Sequence, residues 1–236
     1  MKKGELKKKE ILRTAETLFC KNGYETTSIQ DILDVLHTSK GSFYHHYASK
    51  ELLLEEICGL RAGVLAENTA AALREESSPM ENLNTLFAGI IPLTGEKLAF
   101  LMMILPVFDL PEGRQIRFSY AESIAASFRE MVILEIRRGN ENDEFCCPAP
   151  EHSADILLLI LNDLWYRICL NILRNEKDGN EANLSALLNM VTSYRATVER
   201  LLSAPFGTVR LLDLDDLKFL TEQVHYYWNL QNAIEE

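Results

Sequence analysis

The stretch from Thr27 to Lys50 constrains this chain more tightly than any other, because helix-capping residues divide it into pieces of fixed length. Ser28 can cap a helix whose apolar residues Ile29, Ile32, Leu33 and Leu36 recur at helical spacing and which ends near His37. Thr38 and Ser39 then open a second short helix, Lys40 to Tyr47, in which Phe43 and Tyr47 lie four residues apart and share a buried face. Lys40, Ser42, Tyr44, His45 and His46 are left facing outward. A cation, a hydroxyl, a phenol and two imidazoles within seven residues are well suited to phosphates and base edges. The second helix is sized for a major groove, so the pattern is that of a helix-turn-helix.

These residues also carry a resemblance. Ala15, Leu18, Phe19, Gly23, Tyr24, Thr26 to Ser28, Ile32, the run Ser39 to Tyr47 and the closing Ser49-Lys50-Glu51-Leu52-Leu53 are together similar to the TetR family of transcriptional regulators. The likeness covers about residues 1–55; beyond them only an all-helical pattern is shared. Where the family usually has small residues and a glycine before the recognition helix, this chain has Leu33, Leu36 and His37. If the turn keeps its left-handed backbone, His37 has positive φ; the alternative is a repacked turn with His37 at negative φ.

The resemblance implies an all-α protein with an N-terminal DNA-binding head, residues 1–50, and a helical effector-binding and dimerisation domain, residues 51–236. By the same resemblance Lys40, Gly41, Ser42, Tyr44 and His45 face the groove, with Gly41 letting the backbone approach closely. Thr27, Ser28, His46 and Lys50 are expected at phosphates, the first two aided by their helix N-terminus. The implied partners are a double-stranded DNA operator, a small apolar or aromatic effector, and a second copy of the chain.

Charge agrees with that division. The formal charge is −11, yet residues 1–50 hold nine Lys/Arg against six Asp/Glu, net +3, which leaves −14 for residues 51–236. A basic head on an acidic body restricts DNA contact to the head, since the body is repelled by the phosphate backbone. The longest apolar run, Leu98 to Phe108, is about half the length a bilayer needs and contains Pro106, so no membrane partner is expected. The N-terminus lacks the apolar stretch of a signal peptide, and five cysteines without framework spacing fit a reducing compartment. A cytoplasmic location is expected.

Along the chain, a first helix from about Glu5 to Asn22 buries Ile11, Leu12, Ala15, Leu18 and Phe19 and ends at Gly23. Lys7, Lys8 and Lys9 are either a solvated helix start or a reach toward phosphates. A long helix follows Ser49 to about Glu75. Ser78-Pro79-Met80-Glu81 is a capping box with proline at the first helical position, starting a helix to about Leu93. Leu98 to Phe108 reads as a buried helix, and Glu112 to Arg138 as a long one closed by Gly139. Helices from about Glu151 to Asn175 and Glu181 to Ser203 are antiparallel neighbours across a short connection, and an amphipathic helix starts at Asp213. The apolar stripe Leu184, Leu187, Leu188, Val191, Tyr194, Val198, Leu201 and Leu202, with Ile156 to Leu161, predicts a homodimer through about residues 151–203.

Catalytic and metal chemistry find little support. There is no glycine-rich phosphate loop, nucleophile elbow or His-x-x-x-His or Cys-x-x-Cys spacing, so neither an enzyme nor a metal or cofactor site is expected. His45 and His46 are about 100° apart on one helix and cannot easily share a metal. Cys146-Cys147 could form a redox switch or bind a soft metal, but two loop cysteines without a role is the simpler reading. Phe87, Phe100, Met103, Phe118, Phe128 and Trp165 are the candidate effector pocket, although nothing in sequence separates pocket from core. The competing function is a helical small-molecule-binding protein or enzyme with a vestigial DNA-binding head.

Overall fold

The computed structural model describes residues 3–91, 113–174 and 181–232. Among them the chain is all-α, with nine helices: α1 Lys3–Asn22, α2 Ile29–Val35, α3 Lys40–Tyr44, α4 Lys50–Ala70, α5 Pro79–Ile90, α6 Gly113–Glu141, α7 Pro150–Arg174, α8 Glu181–Leu202 and α9 Leu214–Asn232. The described residues fall into two compact units. One comprises those within Met1–Gly63 and Thr94–Ser123, the other those within Val64–Leu93 and Ile124–Glu236.

In the first unit, α1 packs on α2 and α2 on α3. Ile11, Ala15, Phe19, Ile32, Phe43 and Leu53 are fully buried, and Tyr24 and Tyr47 nearly so, so each helix supplies its apolar stripe to one core. Leu18, expected inside, is only half-buried. In the second unit α7 packs on α8 and α8 on α9. Its core is built from Leu83, Leu86 and Phe87 of α5, Phe128, Val132 and Ile136 of α6, and Leu157, Leu161, Leu164 and Ile168 of α7. Leu187 and Val198 of α8 and Leu217 and Leu220 of α9 complete it.

Several helix ends differ from expectation, and each difference has a cause. The helix after Ser49 stops at Ala70 rather than near Glu75. Asn82 captures the backbone of Arg74, donating to its carbonyl at 2.9 Å and accepting from its amide at 3.3 Å. α3 ends at Tyr44, three residues early, as the amides of His46 and Tyr47 both turn back to the Phe43 carbonyl. Gly139 does not close α6, which runs on to Glu141. The glycine is there because Phe145 folds back onto it; an added Cβ would collide with the Phe145 ring. The proposed helix Leu98 to Phe108 lies outside the described residues.

Three helices turn out through a non-glycine residue in the left-handed region: His37 (φ 46), Asp143 (φ 58) and Ser203 (φ 55). In each, the following amide returns to a carbonyl five residues back: Thr38 to Leu33 at 3.1 Å, Glu144 to Gly139 at 2.8 Å, Ala204 to Glu199 at 2.9 Å. This is the Schellman arrangement, in which two otherwise unpaired carbonyls of the last turn are satisfied.

By length and composition α7 could cross a membrane, with a mean hydropathy of 1.7 over 18 residues, a match that inspection of Leu98 to Phe108 alone overlooks. Its buried face is formed by Leu157, Leu161, Leu164, Ile168 and Ile172, while Ile156 and Leu159 are exposed and two of its carboxylates are paired. Asp155 accepts from Arg129 at 2.6 Å, and Asp163 accepts from Arg167 at 2.7 Å and from the Tyr194 hydroxyl.

Candidate nucleic-acid interface

The head is assembled from its caps. The Ser28 hydroxyl accepts from the Asp31 amide at 3.1 Å, and the Asp31 carboxylate accepts from the Ser28 amide at 2.7 Å, a reciprocal capping box. The same contacts hold the Asp31 carboxyl below its usual range, the backbone bond from Ser28 contributing most. After the left-handed turn at His37, Ser39 caps α3 by accepting from the Ser42 amide at 3.3 Å. Ser49 caps α4 by accepting from Leu52 at 3.2 Å. Phe43, fully buried, stands 6.0 Å from Tyr47 and fixes the roll of α3 on the core.

With that roll set, Lys40, Gly41, Tyr44 and His45 are exposed, and Ser42 and His46 are half-buried beside them. Tyr44 is 53% exposed, a large phenol held in solvent on a five-residue helix. The His45 and His46 rings meet edge to face at 5.1 Å. Gly41 needs no glycine for any internal reason: its φ is not left-handed, and an added Cβ would meet only the Ser39 hydroxyl at 3.9 Å.

Two of the nine sequence-chosen residues take a different place. Thr27 is fully buried, its hydroxyl donating to the Gly23 carbonyl at 2.7 Å, so its side chain braces the turn after α1. Lys50 turns inward. Its ammonium donates to the carbonyls of Tyr24 at 2.9 Å and Thr27 at 3.2 Å and lies 4.0 Å from the centre of the Tyr24 ring. The clamp ties the start of α4 to the α1–α2 connection, across 26 positions of sequence. Ser28 stays exposed at the start of α2. Of the N-terminal lysines, Lys7 pairs with Glu10 and Lys8 with Glu56, while Lys9 is exposed.

The candidate effector residues divide as well. Phe87 and Phe128 are fully buried and Trp165 nearly so, whereas Phe118 is 59% exposed and cannot line an interior cavity as it stands. Phe100 and Met103 lie outside the described residues. Cys147 is buried with its thiol 2.9 Å from the Ser153 hydroxyl, and Cys146 is exposed. Among the described residues no group of three or more His, Cys, Asp or Glu is placed to hold a metal ion.

Two capped short helices joined by a tight left-handed turn, braced by a third and presenting polar groups on the second, define a helix-turn-helix DNA-binding head. Residues 11–57 match the model of the bacterial regulatory proteins, tetR family, so the head is similar to the DNA-binding domain of that family. The chain is 26% identical over 168 residues to the HTH-type transcriptional repressor KstR2 of Mycolicibacterium smegmatis, covering 67% of this chain and 78% of that protein. It is 42% identical over 53 residues to the HTH-type transcriptional regulator QacR of Staphylococcus aureus, covering 22% and 28% of the two chains. A TetR-family transcriptional regulator of Pectobacterium atrosepticum has a similar fold, with a TM-score of 0.57 and 19% identity over 87% of this chain and all of the other.

Proposed function

We propose that this protein is a ligand-responsive DNA-binding transcriptional regulator, a repressor released from its operator by a small apolar or aromatic effector. The observation that carries the reading is the outer face of α3, where exposed Lys40, Tyr44 and His45 surround a glycine that the fold itself does not require. Lys40, Gly41, Ser42, Tyr44 and His45 meet base edges and the adjoining backbone of the major groove; Ser28 and His46 meet phosphates. Thr27 and Lys50 act behind them by holding the turn. The KstR2 and QacR names support transcriptional control as the output.

In this reading residues 1–50 bind DNA, and residues 51–236 bind the effector and dimerise, in the cytoplasm. The body takes up the effector beside Phe87, Phe128 and Trp165, three buried aromatic side chains of that domain. Two copies join through α7 and α8: Ile156 and Leu159 are 44% and 69% exposed on α7, and Leu184, Leu188, Tyr194 and Leu201 are half-buried on α8. The dimer sets two α3 helices into successive major grooves, about 34–36 Å apart. An effector that prefers another spacing weakens the complex by its differential affinity for the two states.

Gly41→Ala tests the DNA face. It should leave the head as stable as before or more so, since alanine is favoured over glycine in a helix by about 1 kcal/mol, while weakening DNA binding at least tenfold, about 1.4 kcal/mol. Unchanged DNA affinity would remove α3 from the interface. For the dimer, Leu159→Glu should shift sedimentation at micromolar concentration from dimer to monomer, and a wild-type monomer would overturn that part.

A further inference from the structure

Two imidazoles stand together at the end of α3 with no counter-charge. The His45 and His46 rings meet edge to face at 5.1 Å, and among the described residues neither makes a hydrogen bond or an ion pair through its ring. His45 is exposed and His46 half-buried, so solvent reaches both. Histidine is the side chain whose charge ordinarily changes between about pH 5 and 8. Two imidazolium rings that close repel, so the pair holds one proton in preference to two.

The surrounding elements bring positive charge, or carboxylates that are already engaged. Lys40 and the Tyr44 phenol are the ionisable groups of α3. α1 brings its first turn: a Cβ built on Gly4 would lie 4.0 Å from His46 Cε1, so the positive pole of that helix stands beside the ring. α1 also carries Lys7, paired with Glu10 at 3.2 Å, and Lys8, paired with Glu56 of α4 at 2.8 Å, and its Glu5 is engaged as well. On the α2 side Asp31 closes the Ser28 cap, Asp34 accepts from Gln30 at 2.7 Å, and His37 occupies the turn. At the start of α4, Lys50 is turned to the Tyr24 and Thr27 carbonyls, and the Glu51 carboxylate is bonded to its own amide and to Ser49. A proton on His45 or His46 therefore finds no free anion in the head, whereas a DNA phosphate brings one.

We propose that the His45–His46 pair takes up a proton when the head binds DNA, which makes operator binding sensitive to pH. The proton sits on His46 against a phosphate, and His45 stays neutral at the groove. The complex then holds more protons than the separated partners, so affinity rises as pH falls from about 8 to about 6 and is lost as pH rises again. The inference rests on the DNA-binding reading and adds a form of regulation to it: a fall in pH tightens the repressor on its operator.

The test uses the full chain and the bacterial genomic fragment it retains most strongly, labelled for fluorescence anisotropy. Titrations run at about pH 6 and about pH 8 with ionic strength fixed, because salt alone moves the affinity. Binding should be about fivefold or more weaker at the higher pH. Calorimetric titration at about pH 7 in buffers of low and high ionisation enthalpy should show uptake of about 0.3 to 1 proton per head. His45→Gln together with His46→Gln should melt like the parent and bind equally at both pH values, whereas His37→Asn, on the turn outside the pair, should keep the full dependence. The calorimetric proton count decides even where the doubly substituted protein binds too weakly to measure. Equal affinity of the wild type at both pH values, no proton uptake, or a dependence that survives the double substitution overturns the inference and leaves the DNA reading standing. A chain that retains no DNA at either pH overturns both.

Discussion

Replacing His37 probes the turn that sets the two short helices of the head against each other. His37 sits at φ 46, its amide returning to the Asp34 carbonyl at 3.3 Å and the next amide to Leu33 at 3.1 Å. The side chain is exposed, so substitution acts on the backbone and removes no core packing. A left-handed conformation costs a non-glycine residue about 1–2 kcal/mol, less for histidine, which is enriched there. His37→Gly removes that strain but returns about 0.4–1 kcal/mol of entropy to the unfolded chain, so the net change should lie near zero, within about 0.5 kcal/mol on the stabilising side. His37→Val puts a β-branched side chain where it is a true outlier and should destabilise by about 1–2 kcal/mol. For a chain of this size that lowers the melting temperature by about 2–8 °C. Circular-dichroism melts of the three proteins decide the matter. A glycine variant that melts well below wild type, with valine tolerated, would refute the left-handed geometry.

Four further outcomes follow from the packing. Lys50→Ala should destabilise the head by about 2 kcal/mol by removing charge-assisted bonds to two carbonyls, and should weaken specific and random DNA alike; a normal melt with a flattened salt slope would instead mark Lys50 as a phosphate contact. Arg138→Met should cost about 3 kcal/mol in urea unfolding, because it strands Glu135, which is 3% exposed and receives Arg138 at 2.7 and 3.0 Å. Gly139→Ala should destabilise by about 1–3 kcal/mol despite alanine's better helix propensity, since the methyl must displace Phe145; a Phe145→Ala background should relieve it. Burial, then Glu55 and Glu16, pushes the Cys58 thiol from 9.0 up to about 12, and burial also raises Tyr24 and Tyr47. The folded form binds these protons more tightly than the unfolded one, so their contribution is complete below about pH 9 and is lost as pH rises toward 12. Urea melts across that range should show the loss, and Cys58→Ala should make it shallower.

What could be read from the residues is what depends on near neighbours. Ser28 with Asp31, Ser39 with Ser42 and Ser78 with Glu81 are contacts three residues apart, so both cap and helix start are visible in sequence. The Phe43–Tyr47 pair fixed which side of α3 faces out, and Lys40, Tyr44 and His45 followed from it. The burial of Thr27 and the inward turn of Lys50 are not legible in sequence because their partners are remote or backbone: a lysine that serves Tyr24 and Thr27 carbonyls leaves the same letter as one that serves a phosphate. Gly139 reads as a helix end for a similar reason, since a glycine that makes room for a ring is indistinguishable in sequence from a glycine that turns a chain. The buried Glu135 and Glu199 carry no sequence signal either; both look like solvent-facing residues of long amphipathic helices until the packing is known.

The central claim, that this chain reads DNA through α3, is tested most directly by recovering the fragments it retains from a fragmented bacterial genome and sequencing them. The account predicts enrichment of a short inverted repeat whose half-sites are about one helical turn apart. Affinity for that repeat should fall linearly in log–log form as salt rises, and the enrichment should vanish with Tyr44→Ala together with His45→Ala. Retention that is indifferent to sequence, or that persists unchanged in the doubly substituted protein, would contradict it.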